Sequence, residues 1–495
     1  MPKRNKFNLS HQINTTFDMG QLIPIGVMEV LPGDVFNHKV SAFLRAAPTD
    51  LPIMHPTHVD IRSFFVPNRL IWEGFEEFIT GGDVTWPHKN YDKVDESSLE
   101  DYLGLPVGTY TQSGKSQNVL PIRAYNLIYN EWFRDEQEGA PAIISIGSGT
   151  DTTTDTDVQR AAWRKDRFTS ARTSPQVGDA IPIPIEFDAT GSITSDGSFM
   201  LETNSSGPRN VEFRGGTGAT SMEYSGDIIG EYENTSYSSG LGVDIDSGSD
   251  VSITVEQLRR SLALQRFGER LNRHGSRYTE YLRSQGIRSS DARLDRPEYL
   301  GGGTQVVQWD EVLQSFPTEP ATSSAGLGAY AGHGIGAMRS NRYVRHFNEH
   351  GLVITLMTVR PTTMYTQGAA AMWFRDTYDK YFQPELQHLG MQPVIIGEVD
   401  QINCQNQRDV FGYQDAYDEY RHQPSYVSGK MNSTEKAFHF GREFSSEPSL
   451  NQSFILCEPR SDPFQISTES QFRAMIRHDL RARRMLRRAG TPLTM

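Results

Sequence analysis

GLVITLMTVRP, residues 351–361, is the stretch on which the fold reading turns. It is a near-continuous run of apolar and β-branched residues, entered at Gly351 and stopped by Pro361. A run of that length and composition, bounded by glycine and proline, predicts a buried strand. Outward from it, QLIPIGVMEVLPGD (21–34) predicts a strand ended by the Pro32-Gly33 turn. VDIRSFFVPNRL (59–70) predicts another, closed by Pro67-Asn68, and QPVIIGEV (392–399) and QSFILCEP (452–459) predict two more. Helical spacing is confined to AYNLIYNEWFRDEQ (124–137) and VEQLRRSLALQRFGERLNRHGSRYTEYLRSQ (255–285). In the longer one Thr254 can cap and Gly275 ends or bends the helix. Residues 301–340 read as a glycine-rich loop, and no fixed-period repeat is present. The sum is a β-dominated body with short strands and very long loops, for which a two-sheet sandwich is one solution.

The chain has 495 residues, 37% hydrophobic and 10% aromatic, which excludes a wholly disordered polymer. No run approaches the ~18 apolar residues of a transmembrane helix, so no membrane insertion is expected. The basic start MPKRNKFNLSHQ lacks the apolar stretch of a secretory signal. Two cysteines, Cys404 and Cys457, cannot build a disulfide framework; they fit a chain folded in a reducing cytoplasm, or one that needs no covalent staples.

Charge is segregated along the chain. Of the net −13, residues 186–250 carry −10, with twelve acids against Arg209 and Arg214. That segment also holds 11 Gly and 12 Ser. Its rings, among them Phe187, Phe199, Phe213, Tyr224, Tyr232 and Tyr237, favour a β-rich surface insertion over a linker. IPIPIEF (181–187), just before it, could be an edge strand. From Arg473 to the end there are seven arginines and one acid, Asp479. The first residues to about Met19 read as a polar, mildly basic, extended arm.

Several short motifs imitate catalytic or metal sites. His346-Phe-Asn-Glu349-His350 spells a zinc-peptidase pattern, but Gly351 and a β-branched run follow at once, where the motif needs a helix. Gly114-Lys115-Ser116 lacks the correctly spaced upstream glycine of a phosphate loop. Asp244-x-Asp246-x-Gly248-x-Asp250 has neither the glycine nor the glutamate of a calcium loop. Gly326-x-Gly328 lacks the context of a dinucleotide loop. None of these assigns a catalytic residue, a metal or a cofactor.

Five long strings resemble, in order, the major capsid protein of the Microviridae, small single-stranded DNA phages, and its gokushovirus group in particular. They are TTFDMGQLIPIGVMEVLPGD (15–34), FFVPNRLIWEGFEEFITG (64–81), RYTEYLRSQGIRSSDARLDRPEYLGGG (277–303), FNEHGLVITLMTVRP (347–361) and VFGYQDAYDEYRHQPSYVSGKM (410–431). The resemblance covers most of the chain outside roughly 140–250. It departs from the family at RKDRFTSARTSPQVGDAIPIPI, where relatives are aromatic and proline-rich, and at the arginine-rich RHDLRARRMLRRAG.

The resemblance implies an all-β fold with helical and loop insertions, an eight-stranded antiparallel viral jelly roll with long inter-strand insertions. It implies an arm (1–20), a jelly-roll body (21–185 and 251–472), a variable surface insertion forming a three-fold protrusion (186–250) and a basic C-terminal tail (473–495). It further implies a virion protein, assembled in the host bacterial cytoplasm into a small T=1 icosahedral shell around circular ssDNA. Its partners would be itself, the packaged ssDNA, minor phage structural proteins and a host surface receptor.

Arginine neutralises phosphate and stacks on bases. Lys3, Arg4, Lys6, Arg473, Arg477, Arg481, Arg483, Arg484, Arg487 and Arg488 are therefore the expected DNA contacts, with Phe472 a candidate stacking ring. The alternative for the same arginines is a solvated basic helix at a subunit contact. Phe411, Tyr413, Tyr417, Tyr420 and Tyr426 are either subunit-interface rings or internal core. The competing function is a jelly-roll carbohydrate-binding or hydrolytic protein with an acidic pair, distinguishable because it would form only small oligomers. A soluble nucleic-acid-binding protein fits poorly with a net charge of −13.

Overall fold

The structure is a computed structural model that describes residues 4–111, 114–176, 294–313, 330–388, 390–466 and 468–487, with the segments 191–195, 199–201, 209–211, 241–245 and 255–274. The chain divides into two compact units, Met1–Pro175 with Asn272–Met495, and Gln176–Leu271. Within the second unit, Gly191–Ser195 pairs antiparallel with Leu241–Ile245, and Phe199–Leu201 with Arg209–Val211. The 181–187 strand, the helix beyond His274 and most of 186–250 fall outside the described residues.

The first unit is built on one curled antiparallel sheet of ten strands. In chain order these are β1 (Asn5–Asn8), β2 (His11–Phe17), β3 (Ile23–Val30), β4 (Val35–Ala46), β5 (Thr57–Pro67), β6 (Glu298–Leu313), β7 (Tyr330–Arg339), β8 (Tyr343–His346), β9 (Gly351–Pro361) and β12 (Phe472–Arg484). A separate hairpin pairs β10 (Met391–Ile395) with β11 (Val410–Asp415). The main path runs β1-β12-β4-β7-β6-β5-β9-β3, with β2 also on β12 and β8 on β4.

Read as two halves, β2-β12-β4-β7 and β3-β9-β5-β6, the chain passes repeatedly from one half to the other. Successive strands alternate between halves at β2–β3, β3–β4, β4–β5, β6–β7, β7–β9 and β9–β12. That order is consistent with an eight-stranded jelly roll. The inner faces meet in a core of Ile25, Leu44, Ile61, Val359, Phe472 and Ile476.

The two halves are covered differently, and this places the site. In β9 the odd residues Val353, Met357 and Val359 face inward, while Leu352, Ile354 and Leu356 join a second core on the opposite face of the sheet. That outer core is completed by Phe64, Trp72 and the helix Leu120–Ile128 through Tyr125 and Ile128. Burial on both faces is why 351–361 reads as a near-continuous apolar and β-branched run. β12 and β4, by contrast, alternate buried and accessible residues along their length, the signature of strands covered on one face only.

Four readings change. Residues 301–340 contain β6 and β7 rather than one loop. Their glycines serve close approach: a Cβ on Gly302 would lie 2.2 Å from the Ile61 carbonyl oxygen, and one on Gly334 2.7 Å from the Trp309 ring. Residues 452–455 are a helical turn capped by Asn451, whose side chain accepts from the Phe454 N–H, so no strand forms there. The N-terminal arm is two strands paired with β12. Most of the segment read as a basic tail is β12 itself, hydrogen-bonded to β4 over twelve residues.

Candidate nucleic-acid interface

The accessible face of β12 carries Arg473, Met475, Arg477, Asp479, Arg481 and Arg483, because side chains alternate along a strand. Opposite them on β4 stand Arg45, Phe43, Ser41, Lys39, Asn37 and Val35. Lys6 of β1 is paired with Arg483, and Arg339 of β7 with Ser41. The two central strands therefore present six bases and one acid on a single face. Asp479 is the exception. Lys39 lies 3.4 Å and Arg342 3.7 Å from its carboxylate. Burial pushes this carboxyl up, but Lys39, Arg481 and Arg342 more than offset that and hold it below the usual range. Arg473 reaches Glu469 at 2.6 Å. Among the described residues no acid pairs with Arg45, Arg477, Arg481 or Arg483.

The expected DNA contacts thus separate. Lys6, Arg473, Arg477, Arg481 and Arg483 share the face. Arg484 turns away, where its Nε lies 3.1 Å from buried Asp34 and its Nη2 donates to the Glu29 carbonyl. Arg4 is exposed and meets His346 at 3.1 Å. Arg487 is exposed beyond the strand, and Lys3 and Arg488 lie outside the described residues. Because β12 is a strand, the basic-helix alternative does not hold for 472–484. Phe472 is 0% exposed and packs against Phe17 and Trp309, so it is no stacking ring for a ligand. The accessible ring is Phe43, in register with Met475 on the next strand. The alternation F-R-A-M-I-R-H-D-L-R-A-R-R carried this signal, but arginine density made the segment read as a tail.

Beneath this face lies a buried polar chain that composition could not disclose. His478 Nε2 is 2.8 Å from the Ile25 carbonyl, an acceptor only, so that nitrogen carries the proton. His478 Nδ1 then accepts, at 3.0 Å, from His38 Nε2. His38 Nδ1 in turn accepts from the Tyr343 hydroxyl at 3.0 Å. One tautomer assignment satisfies every atom with both rings neutral. Burial is the leading cause that lowers His38 to about 3 and His478 to about 4. His11 stacks on His478 at 4.7 Å.

The aromatic residues of 411–426 also divide. Phe411 and Tyr417 are buried within the subunit, Phe411 edge-on to Phe454, and the Tyr417 hydroxyl donates to the Asp379 carbonyl. These two are core, not available interface. Tyr413 is half-buried in β11, while Tyr420 and Tyr426 are exposed. Arg375 lies 4.3 Å over the Tyr420 ring. Near it in the chain, and missed by the sequence reading, are exposed Trp373, Tyr378, Tyr381 and Phe382.

The zinc-like motif disperses. His346 ends β8, Glu349 pairs with Arg69 at 2.8 Å, and His350 packs edge-on to Phe75. Lys115 and Ser116 lie in a short strand, Lys115–Asn118, not at a helix N-terminus.

Comparison with known proteins gives the family. The family model described as capsid protein (F protein) matches residues 1–494. Capsid protein VP1 of Bdellovibrio phage phiMH2K is 33% identical, over 91% of this chain and 87% of its own length. Capsid protein VP1 of Chlamydia phage 1 is 32% identical, over 92% and 89%. Capsid protein VP1 of Spiroplasma virus 4 is 28% identical, over 91% and 87%. The chain belongs to the phage capsid protein (F protein) family, and its role is that of a structural, self-assembling virion protein.

Proposed function

We propose that copies of this major capsid protein close into a T=1 icosahedral shell around circular ssDNA, with the accessible face of β12 and β4 turned to the genome. The observation that carries this is the basic face itself, on which Arg45, Arg477, Arg481 and Arg483 have no acidic pair among the described residues. Packaged phosphates repel one another, and arginines that lack acidic partners offset that repulsion at the least desolvation cost. The acidic segment 186–250 fits the opposite environment, a solvent-facing protrusion that touches the host surface, because −10 facing phosphate would be unfavourable. Tyr420 and Tyr426, with the exposed rings of 373–382, fit contacts between copies.

Deleting 473–495 would remove a strand from the sheet, so point substitution is the test. Arg477→Gln, Arg481→Gln and Arg483→Gln together remove three cations without altering the inward residues of β12. For single strands, log affinity falls with log salt at about 0.7 per phosphate contacted. The triple variant should therefore lose about 2 from the salt slope of oligonucleotide binding, and its particles should package less DNA, read by their ultraviolet absorbance ratio. An unchanged slope together with full genome content would overturn the proposal.

A further inference from the structure

We infer that Phe43 and Met475 form a nucleobase platform, so that the basic face binds single strands through their bases as well as their phosphates. This rests on the genome-facing reading above and adds to it a stacking site. The two side chains are direct partners on adjacent strands and are 38% and 50% exposed, although every inward residue around them is buried. Phe43 stands in the middle of a polar face and still leaves more than a third of its surface to solvent.

Its surroundings match the ligand. Arg473 and Arg477 stand two residues either side of Met475, and Arg45 two residues beyond Phe43. Two residues along a strand span about 7 Å, so cations flank the ring on both sides at the reach of neighbouring phosphates. On the third strand the partner of Phe43 is Ala337, whose small side chain leaves that flank of the ring open. Asn14 of β2 borders Met475 on the other side. A sheet face with an accessible ring between arginines presents a π-surface to any base that is not already stacked in a duplex. Stacking on a ring reads no hydrogen-bonding edge, so the site accepts all four bases.

The test uses the full-length, unassembled chain and two fluorescent probes of equal phosphate number, oligo(dT) and an abasic oligodeoxynucleotide, followed by anisotropy at fixed salt. Phe43→Leu keeps an apolar β-face side chain and removes the ring. It should weaken oligo(dT) binding on the order of tenfold and leave the abasic probe unchanged. Arg477→Gln should weaken both probes alike. If Phe43→Leu binds oligo(dT) as tightly as the parent, or weakens both probes equally, the platform is refuted while the phosphate-binding face stands. If the parent chain binds neither probe, the genome-facing reading itself fails and the platform falls with it.

Discussion

Acid should weaken this subunit through His38 and His478. Both rings are free to take a proton near pH 6.5 in the unfolded chain, but His478 resists until about 4 and His38 until about 3 when folded. The unfolded state therefore binds more protons between those values. Stability is fully present above pH 6.5 and is lost as pH falls through the window toward 4. For His478 alone a depression from 6.5 to about 4 corresponds to about 3.4 kcal/mol. The His38 contribution cannot simply be added, because the two rings share one hydrogen bond and titrate as a pair. Two excess protons would give a slope of about 2.7 kcal/mol per pH unit, large against a typical domain stability of ~5–15 kcal/mol. The chain geometry says why. A proton on His478 Nδ1 would face the His38 Nε2–H, forcing His38 and Tyr343 to reverse their bonds. His478→Gln keeps an N–H for the Ile25 carbonyl and an oxygen for His38, but does not titrate. Urea unfolding of unassembled parent and variant from pH 6.5 to 4.5 isolates the effect, since other titrating groups cancel in the comparison. The variant should show a slope lower by about 1.4 kcal/mol per pH unit. Parallel curves for the two proteins would refute the reasoning.

Two further outcomes follow from single contacts. Asp151→Asn should cost ~3–5 kcal/mol in urea unfolding, because it leaves Arg123 buried without its counter-charge beneath Ile71 and Gly147. Gly302→Ala should destabilise by at least ~1–3 kcal/mol, since its Cβ would sit 2.2 Å from the Ile61 carbonyl and push β6 off β5. Gly147→Ala, whose nearest neighbour is a side-chain oxygen at 3.8 Å, is the matched control and should be close to neutral.

Much of the fold was legible where burial is symmetric. Residues 351–361 lie between two cores, so apolar and β-branched residues fill nearly every position and the strand announces itself. The turn at Pro32-Gly33 was equally plain, with Gly33 at φ +87° where a side chain would strain the backbone. Strands covered on one face were harder. β4 was not anticipated at all, because VFNHKVSAFLRA mixes inward Phe36, His38, Val40 and Leu44 with polar residues of similar number. β6 and β7 were hidden by glycines whose purpose is a neighbour's backbone or ring, information that no local pattern holds.

The amino-acid order by itself determined that a band of arginine lies near the end of the chain, that acid is concentrated in 186–250, and that the body is β-rich. Which ring accompanies the arginines was decided only by tertiary structure. Phe472 and Arg473 are neighbours in sequence, yet a strand sends consecutive side chains to opposite faces, so Phe472 went to the core. Phe43, some 430 residues earlier in the chain, arrived beside the arginines through the register of β4 on β12. A shift of one residue in that pairing would bury the cations and expose the core, so the cost of burying charge fixes the register and, with it, the composition of the face.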